Sequence, residues 1–261
     1  MTRDKLKEEI VYKEDIEWNE GAISRFKEKI QREKNIDNKE KQENRISAIG
    51  DYYFDLLLMH YSIGSDIEIM KPIFIETLKY KAMEWYKIER ELYMDSQYFE
   101  LVTLISLALL LEVSNDEALI LMKMRSVVSM HDLVLDFMLK TLLSEEQFEQ
   151  YSKKFEENSD KDGYEGNVIG GIRPYCHLQT LLELKDKKEQ EKFMQSNYLK
   201  HWYKRCKEMS FYNQHKADIT YYYGYWSFES VAITKILGLD DSSYRDNKYY
   251  PKDMLNWREN E

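Results

Sequence analysis

Apolar residues along this chain recur at steps of three and four, and no stretch shows the strict alternation of a half-buried strand. Ile10, Ile16, Ile23, Phe26 and Ile30 form a sparse apolar face on a first, highly charged helical stretch. Gln31 to Arg45 is almost wholly polar and reads as an exposed helix end or loop. A second helix is predicted from Ile46 to Ile63, closed by Gly64, with Tyr53, Leu56, Leu57, Met59 and His60 in helical period. Ser65-Asp66 can cap a third, Ile67 to Leu92, which accommodates Pro72 in its first turns. Its predicted core stripe is Ile75, Leu78, Ala82, Trp85, Ile88 and Leu92.

The second half continues in the same style. Gln97 to Val113 contains the apolar run Leu101 to Leu111, which reads as a helix buried on all sides. Ser114 followed by Glu117 is a capping box, and a helix should follow it toward Leu142, broken near Ser126 or Ser129. Ser144 followed by Gln147 repeats the pattern and opens an acidic helix ending near Asn158. Residues 158–173 hold four of the nine glycines and form the clearest loop. A short helix from Pro174 to Leu184, a longer one from Asp186 to Cys206 and a last one from Trp226 to Leu237 complete the set. Gly238 stands at the expected C-terminal cap of the last.

Composition supports an all-α, multi-helix bundle with little or no strand. In 261 residues there are nine glycines and three prolines, which helices tolerate poorly and all-β folds need at many turns. Two helical subdomains are expected, 1–125 and 126–261. The formal charge is −10 and unevenly spread. Residues 141–165 carry 8 acids against 3 bases, whereas residues 166–215 carry 9 bases against 5 acids. An acidic chain repels phosphate, which argues against direct nucleic-acid binding and favours a basic partner. The eleven-residue apolar run is too short to span a bilayer, and no apolar leader opens the chain, so a cytoplasmic protein without membrane contact is expected.

Chemistry-bearing patterns are few. His60, His131, His177, His201 and His215 show no i, i+4 pairing, and Cys176 and Cys206 fit neither a disulfide framework nor a usual zinc spacing. His131-Asp132 is similar to the pair used by metal phosphohydrolases, for which His60 and further carboxylates would be needed; a helical His beside a solvated Asp is the simpler reading. Glu183-Leu184-Lys185, with Asp160 or Asp162 upstream, matches half of a metal-dependent nuclease site, but its surroundings read as helix rather than sheet. Gly170-Gly171 lacks the lysine or helix start of a phosphate cradle. No catalytic residue, metal or cofactor is expected.

One segment is far more specific. Tyr223-Gly224-Tyr225-Trp226-Ser227-Phe228-Glu229 is followed by Ala232, then Lys235-Ile236-Leu237-Gly238-Leu239-Asp240-Asp241-Ser242-Ser243, Arg245-Asp246 and Tyr249-Tyr250-Pro251. Tyr198-Leu199-Lys200 with Trp202-Tyr203 precedes it. In order and spacing these residues resemble the PoNi family of bacterial immunity proteins, and Tyr52 to Gly64 with the following helix resembles its N-terminal companion domain. The resemblance covers most of residues 46–255. It implies an all-helical protein that binds and neutralises a cognate DNase toxin of the PD-(D/E)xK type, used in competition between bacteria. A helical phosphohydrolase and a helical interaction scaffold are the alternative readings.

The aromatic motif is expected to anchor the core rather than touch a partner, through Tyr223, Trp226, Phe228, Glu229, Gly238, Arg245, Tyr250 and Pro251, with Ala232 and Ile236 at helical spacing. Candidates for the interface with a basic toxin are the carboxylates Glu145, Glu146, Glu149, Glu156 and Glu157, joined by Asp240 and Asp241.

Overall fold

Scarce glycine and proline leave long helices uninterrupted, and the first three run for 24, 25 and 19 residues. The computed structural model describes residues 2–33, 39–86, 95–127, 132–159, 174–217 and 222–260, with side chains in 145–159 described as far as 153. The chain divides into two compact units. Unit 1 takes Met1–Ile88 and Asn213–Tyr225; unit 2 takes Glu89–Tyr212 and Trp226–Glu261.

In unit 1, α2 (Lys39–Ile63) packs against both α1 (Glu9–Arg32) and α3 (Ile67–Trp85). Ile23, Ile49 and Leu56 form a buried cluster, with Ile16, Phe26, Tyr52 and Tyr53 packed on it. Gly50 lets α2 and α3 approach closely: a Cβ there would lie 3.2 Å from the Lys81 side chain and 3.4 Å from its backbone nitrogen. Lys81 is itself buried and reaches Asp51 at 2.5 Å, so its stem packs while its ammonium is paired. Asp66 caps α3 as expected, accepting from Glu68 N at 3.2 Å. From 213–225, the Tyr222 ring packs tilted against Tyr12 and edge-on against Tyr225, and the Tyr223 carbonyl accepts from Ser62 Oγ at 2.6 Å.

Two sequence expectations change here. α1 continues to Arg32, and α2 begins at Lys39 rather than Ile46. Arg45, on the added turns, pairs with Glu33 at 2.7 Å. Ile75 is not in the core stripe of α3 but 40% exposed. The buried stripe is Ile67, Met70, Phe74, Leu78, Ala82 and Trp85. One residue is 100° of helix rotation, so a stripe centred on Phe74 turns Ile75 outward. Ile88 and Leu92 lie outside the described residues.

Unit 2 is organised on α4 (Asp95–Leu110), which packs against α5 (Asn115–Arg125), α6 (Leu133–Leu142) and α11 (Phe228–Leu237). From Leu101 to Leu111 only Leu109 is more than slightly exposed, as the apolar run required. Ser114 and Glu117 form their capping box, and Ser126 ends α5. Ser144 and Gln147 exchange the two hydrogen bonds of the second box, which starts α7 (Glu145–Ser159). After α8 (His177–Glu183), one helix runs from Lys187 to Arg205. Its middle turns widen into a π segment, Met194–Leu199, between α9 (Lys187–Phe193) and α10 (Lys200–Arg205). Gly238 ends α11 at φ +59°, the left-handed cap that favours glycine. Three short 3₁₀ turns follow, and Trp257 Nε1 donates to the Leu110 carbonyl at 2.8 Å, tying the chain end to α4. The protein is all-helical, with no β-strand among the described residues.

Candidate partner-binding surface

The aromatic motif surrounds one buried carboxylate. Glu229, in the first turn of α11, is 2% exposed. Its Oε1 accepts from Tyr198 Oη at 2.7 Å, Trp202 Nε1 at 2.7 Å and Ser227 Oγ at 2.5 Å. Burial pushes the Glu229 pKa above the ordinary carboxylate value, against the opposing pull of these donors. The two stretches that carry the family resemblance, around Tyr198–Tyr203 and Tyr223–Pro251, thus meet at Glu229. Helical spacing alone could not show this, because Tyr198 lies in the π segment, where α periodicity fails.

The rest of the motif is mostly interior. Phe228, Ala232, Tyr250 and Pro251 are buried, while Tyr223, Trp226 and Ile236 are half-buried. α11 starts at Phe228, two residues later than the expected Trp226. Ser227 N donates to the Tyr249 carbonyl at 2.8 Å, pinning the start of α11 to the C-terminal turns. Asp240 caps the turn after Leu239 by accepting from Ser242 N at 3.0 Å, which holds its pKa low. Asp241 is 8% exposed and accepts from Arg245 at 2.9 Å, so of the two acids Asp240 is the outward one. Glu112, at φ +51° just after α4, receives Lys235 at 2.9 Å and Arg258 at 2.5 Å.

Of the acidic interface candidates, Glu145, Glu146 and Glu149 are all exposed on the first turns of α7. A helix N-terminus is where carboxylates are stabilised by the peptide dipoles, so Glu145 and Glu146, in the first turn, also favour α7 itself. The side chains of Glu156 and Glu157, and most of the 158–173 loop with Asp160, Asp162, Gly170 and Gly171, lie outside the described residues.

The patterns that might have carried chemistry take structural places. Asp132 is the N-cap of α6: its Oδ1 accepts from Val134 N at 3.0 Å and Leu135 N at 2.9 Å, and its Oδ2 from Tyr98 Oη at 2.8 Å. It is 2% exposed rather than solvated, and burial raises its pKa. His131 lies outside the described residues. Next to the cap, fully buried Arg125 grips Asp136 through two hydrogen bonds of 2.9 and 3.1 Å, and Asp136 also accepts from Asp132 N at 3.0 Å. His60 Nδ1 contacts Ser65 Oγ at 2.9 Å, and burial lowers its pKa. Glu183 ends α8, and Leu184 and Lys185 lie in the short link before α9, so the Glu183–Lys185 match spans a helix end and not a strand. Cys206 is buried, and burial raises its thiol pKa. Among the described residues no group of three or more His, Cys, Asp or Glu is placed to hold a metal. Nor, among them, is any helix long and apolar enough to cross a membrane.

A basic cluster on α10 was not anticipated from the sequence. His177, His201, Lys204, Arg205, Lys207 and Glu208 line a surface cavity of about 320 Å³. The available signal was the excess of bases in residues 166–215.

Fold and site together describe an all-helical protein whose signature residues build a core. Two family models cover almost all of it. The model described as PoNe immunity protein (PoNi), N-terminal, matches residues 3–123, and that described as PoNe immunity proteins (PoNi), C-terminal, matches residues 130–254. The chain belongs to the PoNe immunity protein family. The two models adjoin between 123 and 130, whereas the spatial units assign α4 and α5 to unit 2. No curated protein matches the chain. The crystal structure of protein PA2201 from Pseudomonas aeruginosa is similar in fold, at 18% identity and a TM-score of 0.70, over 98% of this chain and 90% of that one.

Proposed function

We propose that this protein is a cytoplasmic immunity protein that binds a cognate DNase toxin of the PD-(D/E)xK type and neutralises it without chemistry of its own. The observation that carries this reading is the match of both PoNi family models, end to end along the chain. The charge agrees with it. A toxin that cuts DNA must hold phosphate and therefore presents basic surface, which a chain of formal charge −10 attracts. Glu145, Glu146, Glu149 and Asp240 are the exposed carboxylates proposed to meet the toxin, with Glu156 and Glu157 continuing the acidic helix. Asp241, buried and paired with Arg245, is the weaker candidate of the two.

Co-expression tests the reading. The toxin encoded beside this gene should stop growth alone, and this protein should restore growth and co-purify with it. A toxin that still kills cells and forms no complex with this protein refutes the assignment.

A further inference from the structure

α10 is held on three sides. Trp202 is buried against Glu229, and Tyr203 stacks on Tyr212 at 4.8 Å and on Tyr249 at 5.2 Å between ring centroids. On one face of α10, His201, Lys204 and Arg205 fall at i, i+3 and i+4; Lys204 is exposed, and His201 and Arg205 are half-buried. Arg205 is fixed in place by the π segment: its Nη1 donates to the Asn197 carbonyl at 3.2 Å and its Nη2 to Asn197 Oδ1 at 3.0 Å. Eight residues of α-helix rise about 12 Å. The wider π turn shortens that span and brings Asn197 within reach of Arg205. With His177 from α8 and with Lys207 and Glu208 just beyond α10, His201, Lys204 and Arg205 line the open surface cavity of about 320 Å³.

The lining carries Lys204, Arg205 and Lys207 against Glu208, and the two imidazoles add ring N–H groups that can donate. Lys207 lies 3.6 Å from Glu208, so Lys204 and Arg205 dominate the field. A positive, pre-shaped pocket in a chain of formal charge −10 is complementary to a compact negative group. A long polyanion such as a nucleic acid would meet the rest of that charge. The volume is at the small end of the range for bound small molecules, room enough for a few side chains of a partner.

We propose that this pocket is a second docking point for the toxin and receives an acidic segment of it. The inference rests on the immunity reading. The complex would then be two-signed, with carboxylates of this chain on basic toxin surface and the α10 pocket on toxin carboxylates. Such pairing fixes register and rejects toxins in which the two signs are differently placed.

The test uses the full chain and the full toxin. Binding is measured for the wild type, for the double variant His201→Glu/Lys204→Glu and for the conservative variant Lys204→Arg, with circular dichroism confirming the fold of each. Weakening by about tenfold or more in the double variant, with Lys204→Arg close to wild type, is expected. A double variant that binds as tightly as wild type overturns the docking point and leaves the immunity reading standing. No complex with the wild type removes both. Inorganic phosphate provides the last arm. If the wild type binds phosphate, the double variant does not, and toxin affinity is equal, the pocket is a small-anion site and the proposal falls.

Discussion

Replacing Glu229 by alanine should destabilise unit 2 by about 3–5 kcal/mol. The figure follows from three donors losing one acceptor. Tyr198 and Ser227 are 0% exposed and Trp202 is 1% exposed, so none of the three can turn to water. A buried donor left without a partner costs about 1–3 kcal/mol, and the two hydroxyls can rotate to recover part of it, which the indole N–H cannot. Glu229→Gln keeps an oxygen at the same place and should cost only about 1–2 kcal/mol at neutral pH, because it also removes the desolvation of a carboxylate. The two variants differ in pH response. The Glu229 pKa is raised on folding, so the native state holds a proton more readily than the unfolded chain. The cost of the ionised group is absent below the unfolded value of about 4.3. It grows as pH rises from there toward the folded pKa and is complete above it. The wild type should therefore gain on Glu229→Gln as the pH is lowered from 7.5 toward 4.5. Urea unfolding followed by tryptophan fluorescence at several pH values measures both effects. An alanine variant within 1 kcal/mol of wild type, or a wild type–Gln difference that does not move with pH, refutes the argument.

Four further outcomes are expected. Arg125→Ala should cost about 3–5 kcal/mol by urea denaturation, because it strips the partner from Asp136 beside the α6 cap. Asp132→Ala should cost about 1–2 kcal/mol as a lost N-cap while leaving metal content unchanged; metal bound by wild type and lost in the variant contradicts the capping role. Gly238→Ala should lower stability by about 1 kcal/mol, since φ is +59° and the nearest atom to a new Cβ is the movable Lys187 Nζ at 3.3 Å. Charge reversal of Glu145, Glu146 and Glu149 together should slow association with the toxin and flatten its salt dependence, with a stability loss of about 1 kcal/mol from the first turn of α7; an unchanged on-rate excludes steering by α7.

Local signals were legible wherever a few neighbouring residues decide the structure. The capping boxes at Ser114 and Ser144, the Asp66 cap and the Gly238 stop all stand where the sequence placed them. Each depends on contacts within about one helical turn. Reading failed where a neighbouring element chooses the face. Ile75 has the right spacing for a core residue, yet the packing of α3 buries Phe74 instead. The polar start of α2 carried no apolar period to reveal it, and Arg45 is held there by its ion pair with Glu33.

The sequence by itself determined the all-helical class, most helix ends and, through the ordered residues from Tyr223 to Pro251, the family. Tertiary structure decided what those residues do. It gathered Tyr198, Trp202 and Ser227 on the buried Glu229, put Asp241 inside and Asp240 outside, and turned His201, Lys204 and Arg205 into one cavity. The physical reason is range. Caps and helical period are written into adjacent residues, whereas burial and the convergence of side chains from distant elements exist only once the chain has packed.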